Sequence, residues 1–121
     1  MKRNMNLVRD ILLSVEEVTT PNVKWMYRYG DDVPRSLAKY SQEEVEYHVS
    51  LCEESGLICG VAIYNGGLWI DVSDLTPAGH DFLSNIRDDS IWKKVLGSVK
   101  SASLGVFADL AEKVVRSQLG L

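Results

Sequence analysis

Apolar side chains at Leu7, Ile11, Leu12, Val15 and Val18 recur at three- and four-residue intervals, with Arg9, Asp10, Glu16 and Glu17 between them. That period is helical, so it predicts an amphipathic helix from Met5 to about Val18, ended by Thr19-Thr20-Pro21. The period falls to two over residues 23–29, where Trp25, Tyr27 and Tyr29 alternate with Lys24, Met26 and Arg28. A half-buried strand is expected there, followed by a turn at Gly30-Asp31-Asp32. Ser41 with Glu44 three residues on forms a capping box, which starts a helix at Gln42 that Gly56 closes. Residues 58–63 and 68–72 are β-prone runs joined across Tyr64-Asn65-Gly66-Gly67, and Asn-Gly is a favoured hairpin turn. Thr76-Pro77 signals another helix start, with Phe82, Leu83 and Ile86 apolar over residues 78–87. Asp88, Asp89 or Ser90 caps a further helix through Trp92 and Val95 to about Val99. Ser103 opens the last one, whose Leu104, Phe107, Leu110, Ala111, Val114, Val115 and Leu119 make a wide apolar stripe.

At 121 residues the chain has room for one hydrophobic core but not for two independent ones. Its 45% hydrophobic and 25% charged residues place it with ordinary globular domains, away from disordered or coiled-coil classes. Asn4, Asn6, Arg9 and Asp10 interrupt the first apolar positions, so neither a signal peptide nor a membrane span is expected, and the cytoplasm is the expected compartment. Cys52 and Cys59 then read as free thiols. The net charge of −4 is unevenly distributed: residues 1–39 sum to +2, residues 40–86 to −8 and residues 87–121 to +2. No lysine or arginine occurs from Tyr40 to Ile86.

His48-Val49, Cys52, Glu53-Glu54, Gly56-Leu57-Ile58 and Leu75-Thr76-Pro77-Ala78-Gly79 resemble the recognition helix, the turn into the wing and the Leu-Thr-x-x-Gly helix start of winged-helix repressors of the metal-sensing and multidrug-resistance type. A wider resemblance, carried by MKRNMNLVRDILLSVEE, YHVSLCEESGLICG and LTPAGHDFLSNIRDDSIWKKV, is to the bacterial and prophage family known as domain of unknown function 2513. It implies a winged helix and frequent residence on mobile elements, and transfers no activity or site. The expected fold is therefore α+β: a winged helix with a two-stranded wing hairpin, tipped by Asn65, Gly66 and Gly67, and additional C-terminal helices. A single domain over residues 1–121 is expected, of which 89–121 is a helical extension. One departure stands out: the helix that props the recognition helix in the regulators has only residues 34–40 to form from, two turns at most.

On the helix from Gln42, Val45, Val49 and Cys52 fall on the core side, and Gln42, Glu43, Glu46, Tyr47 and Ser50 on the outer side. Glu43, Glu44 and Glu46 occupy places where a DNA reader carries small polar or basic residues, and acids there repel phosphates. They form either a solvated face, with Glu44 serving the cap, or a docking face for a basic partner. His48, Cys52, Cys59 and His80 lie within 33 residues but lack the paired spacing of zinc ligands, so neither metal nor cofactor is expected. The aromatic strand suits core packing better than base stacking. Phosphate loops, G-x-S-x-G and H-E-x-x-H are all missing from the sequence, and an enzyme is not expected. The function expected is protein interaction through Glu43, Glu44, Glu46, Tyr47 and Ser50, with DNA-binding regulation as the alternative and a homodimer through residues 104–119.

Overall fold

Asn4 starts the first helix, α1 (Met5–Val18), by accepting the Leu7 N–H on its Oδ1 at 3.3 Å. The computed structural model describes residues 1–98 and 104–120, apart from the side chains of Ser98 and Phe107. The expected helix end at Val99, the start at Ser103 and the place of Phe107 on the last stripe lie outside the described residues. Contacts cluster into two compact units, Met1–Gly79 and His80–Leu121.

In the first unit, Leu7, Val8, Ile11, Leu12 and Val15 of α1 are fully buried, as the helical period predicts. Strand β1 (Trp25–Arg28) buries Trp25 and Tyr27 beside them, and Trp25 Nε1–H donates to the Ser14 hydroxyl at 2.7 Å. Tyr29 departs from the alternation: it lies beyond the strand at the Gly30 turn and is exposed. The segment before the second helix forms only a 3-10 turn, Arg35–Leu37, anchored by buried Leu37. Helix α2 (Gln42–Glu54) follows with the complete capping box, and buries Val45, His48, Val49 and Cys52.

The β-prone runs become four short strands: β2 (Ile58–Cys59), β3 (Ala62–Tyr64), β4 (Trp69–Val72) and β5 (Asp74–Leu75). β2 pairs with β5, and β3 with β4; Gly60 and Val61 on one side and Ser73 on the other separate the two ladders. β1 joins the outer ladder, giving an antiparallel sheet in the order β1-β4-β3 with Trp25 opposite Val72 and Tyr27 opposite Ile70. The turn differs from the expected one. Leu68 N–H donates to Asn65 O, which puts Gly66 and Gly67 at its centre with φ of 65° and 94°, and Asn65 before them at φ 51°. Three successive left-handed residues need glycine at two of them, and asparagine is the side chain that tolerates the third.

Helix α3 (Pro77–Ile86) starts at the border of the units, with Thr76 Oγ1 accepting the Gly79 N–H at 3.0 Å. The second unit contains the rest of α3 with buried Phe82, Leu83 and Ile86, then α4 (Asp89–Ser98) and α5 (Leu104–Gln118). Asp88 Oδ1 caps α4 by accepting the N–H groups of Ser90 and Ile91. α4 packs on α5, with Trp92, Val95, Leu104 and Ala111 buried. The chain is thus α+β, with five α-helices and two small antiparallel sheets among the described residues, and its order helix, strand, helix, hairpin, helix is compatible with a winged helix. No described helix is long and apolar enough to cross a membrane.

Candidate functional site

Helical geometry sorts the residues of α2 into an inner and an outer row. With Val45, His48, Val49 and Cys52 buried, the opposite row at steps of four, three and four is Glu43, Tyr47, Ser50 and Glu54. Glu43, Tyr47 and Glu54 are exposed, and Ser50 is half-buried. Glu54 was missing from the expected face, although continuing the same stepping along the sequence reaches it. Glu44 sits off this row; its carboxylate accepts the Ser41 N–H at 3.0 Å while its own N–H donates to Ser41 Oγ at 3.2 Å. Those hydrogen bonds from Ser41 hold the Glu44 carboxyl below its ordinary pKa.

Gln42 and Glu46, expected on the outer side, lean instead on the hairpin turn. Gln42 Nε2–H donates to Gly67 O at 2.7 Å, and a Cβ at Gly67 would collide with the Glu46 carboxylate. Gly67 is buried by this approach, so the tip residues Asn65, Gly66 and Gly67 are held against the start of α2. Cross-strand register puts Met26, Arg28, Tyr64, Trp69 and Asp71 on the sheet face opposite buried Tyr27 and Ile70. Arg28, the cation of this face, is committed: it pairs with Asp71 at 2.7 Å, donates to Ile70 O at 3.2 Å and lies 5.3 Å from the centre of the Trp69 ring. The α2 row is therefore acidic and aromatic, with the Arg28 charge matched by Asp71.

His48 and Cys52 lie in the core. His48 is fully buried, accepting the Asn4 N–H on Nε2 and donating Nδ1–H to Glu44 O, each at 2.7 Å. An N–H facing Nε2 fixes the neutral tautomer with its proton on Nδ1. Burial pushes the Cys52 thiol up to about 12, whereas Cys59 is exposed and both are free. Among the described residues no group of three or more His, Cys, Asp or Glu is placed to hold a metal.

Tyr40 has a consequence for alkaline stability. Burial, together with its 2.9 Å hydrogen bond to Asp10 Oδ2, raises its pKa from 10.0 to about 12. A raised folded-state value means that the protonated phenol supports the fold; this support is complete below pH 10 and lost as pH rises from there through about 12. Urea unfolding of wild type and Tyr40→Phe should therefore show a stability gap at pH 8 that narrows by pH 11. A gap of constant size across that range would remove the Asp10 contact as its cause.

Fold and surface together define a small α+β protein that presents a helix and a hairpin side by side. The chain belongs to the family described as hypothetical protein DUF2513, whose model matches residues 2–105. It is also similar to a Haemophilus influenzae protein described as uncharacterized, at 30% identity over 118 residues, spanning 97% of this chain and 94% of that protein. No solved structure matches it.

Proposed function

We propose that the protein is a non-catalytic winged-helix module of bacterial or mobile-element origin that docks a basic protein partner on the outward row of α2. The observation that carries this reading is the row Glu43, Tyr47, Ser50 and Glu54, set in a stretch from Tyr40 to Ile86 that has no lysine or arginine. In a helix-turn-helix reader that row faces the major groove, where cations gain affinity by releasing counterions from phosphates and carboxylates oppose it. An acidic helix with an exposed tyrosine suits a partner that itself binds nucleic acid, and mimicry of nucleic acid is one form such docking takes.

Two measurements test this. Binding to a labelled random duplex at physiological salt should be weaker than the roughly 10⁻⁴ to 10⁻⁶ M of basic readers. A photo-crosslinking residue at Tyr47 should capture a protein, and Glu43→Lys with Glu54→Lys should abolish the capture while changing stability by about 0.5 kcal/mol or less. Submicromolar duplex binding with a steep salt slope, lost when α2 is altered, would favour the DNA-binding regulator instead and overturn the proposal.

The same reading includes a two-fold dimer through residues 104–119. On α5, Leu110, Val114 and Val115 are half-buried, and Leu119 just beyond its end is exposed, leaving apolar surface for a second copy. Light scattering should give about twice the chain mass of 13.5 kDa. Val114→Glu should return it to the monomer, because an unpaired charge would enter the interface. A wild-type monomer at every concentration rejects the dimer.

A further inference from the structure

Both edges of the three-stranded sheet carry an open backbone position, and one of them borders a cleft. Tyr29 N–H donates to Leu68 O, so the odd-numbered residues of β1 turn their backbone groups towards β4 and the even-numbered ones turn away. Arg28 follows this rule, exchanging two 2.8 Å hydrogen bonds with Asp32 on the outer side. Met26, two residues earlier, turns its N–H and C=O the same way, and among the described residues no backbone group meets them. The same alternation leaves the Ile63 backbone open on the far edge of β3.

At the Met26 edge lies a cleft of about 670 Å³. Glu17 and Val18 of α1, Lys24 and Met26 of β1, and Asp32 and Arg35 of the following loop line it. Its size is in the range of about 300–1,000 Å³ that holds ligands. Val18 and Met26 are 42% and 49% exposed, so the cleft keeps uncovered apolar surface beside the open strand edge. Glu17, Lys24, Asp32 and Arg35 are exposed, and no ion pair engages them among the described residues.

We infer that this cleft binds an extended peptide segment of a partner protein, which adds to the sheet as a strand at the free edge of β1. The peptide backbone supplies the acceptor and donor that Met26 N–H and C=O lack, an apolar side chain covers Val18, and flanking side chains of opposite charge meet Glu17 and Asp32 on one hand and Lys24 and Arg35 on the other. An edge strand facing a helix across a cleft is the arrangement that strand addition uses: backbone bonds give affinity and alternate side chains give selectivity. The four charges argue for a peptide over a nucleic acid, because Glu17 and Asp32 repel phosphates. They also argue against a second copy through its own free edge at Ile63, which lies in the stretch without a cation and cannot meet Glu17 and Asp32. This surface is separate from the α2 row and does not depend on the function proposed for it.

The probe is a phage-displayed library of random nonapeptides, panned on the full chain, with the best sequence then synthesised and measured by fluorescence anisotropy. Enriched peptides should carry an apolar residue between residues of opposite charge, and binding should slow hydrogen exchange of the Met26 amide at least tenfold. Met26→Pro should weaken binding at least tenfold with unchanged melting, because proline is tolerated on an edge strand whose N–H faces outward. Should that variant misfold, N-methylation of the peptide one amide at a time decides without touching the protein: a single position, the one that donates to Met26 O, should abolish binding. Glu43→Lys with Glu54→Lys should leave peptide affinity as it was, which keeps this outcome distinct from that of the α2 proposal. No enrichment, equal binding to Met26→Pro, insensitivity to every N-methyl group, or protection at Ile63 in place of Met26 each overturns the inference.

Discussion

Gly79→Ala should destabilise the protein by about 3 kcal/mol, at the upper end of ordinary overpacking, and lower its melting temperature by about 10 °C. Helix propensity alone predicts the opposite sign, since alanine is favoured over glycine inside a helix by roughly 1 kcal/mol. The difference arises from what lies beside it. Gly79 is buried in the first turn of α3, and a Cβ there would overlap the carbonyl oxygen of Leu57. That carbonyl is fixed from another side, because it accepts the Thr76 N–H at 3.0 Å. Thr76 is fixed in turn, its hydroxyl accepting the Gly79 N–H and donating to Gly56 O. Neither partner can retreat without breaking a hydrogen bond, so the overlap is relieved only by moving the start of the helix. This accounts for threonine and glycine in the Leu-Thr-x-x-Gly start: one caps, the other leaves room. Thermal unfolding of the variant measures the sign directly, and an unchanged or raised melting temperature would falsify the close approach.

His48→Ala should cost about 3–4 kcal/mol. The ring is fully buried and meets Tyr47 edge-on at 5.2 Å between centroids, so its removal leaves a cavity. It also removes the His48 Nε2 acceptor of the part-buried Asn4 N–H at 2.7 Å, a hydrogen bond worth about 1 kcal/mol net. The loss has a location as well as a size. Asn4 is the N-cap of α1, so hydrogen exchange should accelerate first over the opening turn of that helix, ahead of the α2 core. A loss below 1 kcal/mol, or exchange that rises evenly over both helices, would show that the tie between Asn4 and His48 contributes little.

Local chemistry made the helices legible. The Ser41 and Glu44 capping box, the period of α1 and the Thr76-Pro77 start each act within one turn, so residues a few places apart determined the boundaries of α1, α2 and α3. Alternation showed that residues 25–28 form a strand but not that β4 would be its neighbour, because pairing depends on residues more than 40 positions away. Tyr29 misled for a related reason: the alternation runs one residue past the point where the chain turns at Gly30. In the candidate site, the buried side of α2 followed from its period, while the contacts of Gln42 and Glu46 with Gly67 needed the folded hairpin turn. The cleft beside Met26 was not legible at all. It combines a helix, a strand and a loop, and its open backbone groups carry no sequence signal.

The pairing of β1 with β4 has a bearing on how the chain is made. Trp25 leaves the ribosome long before Val72, its partner, and at about 5–20 residues per second the interval is roughly two to nine seconds. Throughout that time the nascent strand carries Trp25 and Tyr27 without β4, the strand that its inner edge pairs with. Chaperone engagement should therefore concentrate on nascent chains shorter than the point at which β4 emerges, and decline sharply once it has.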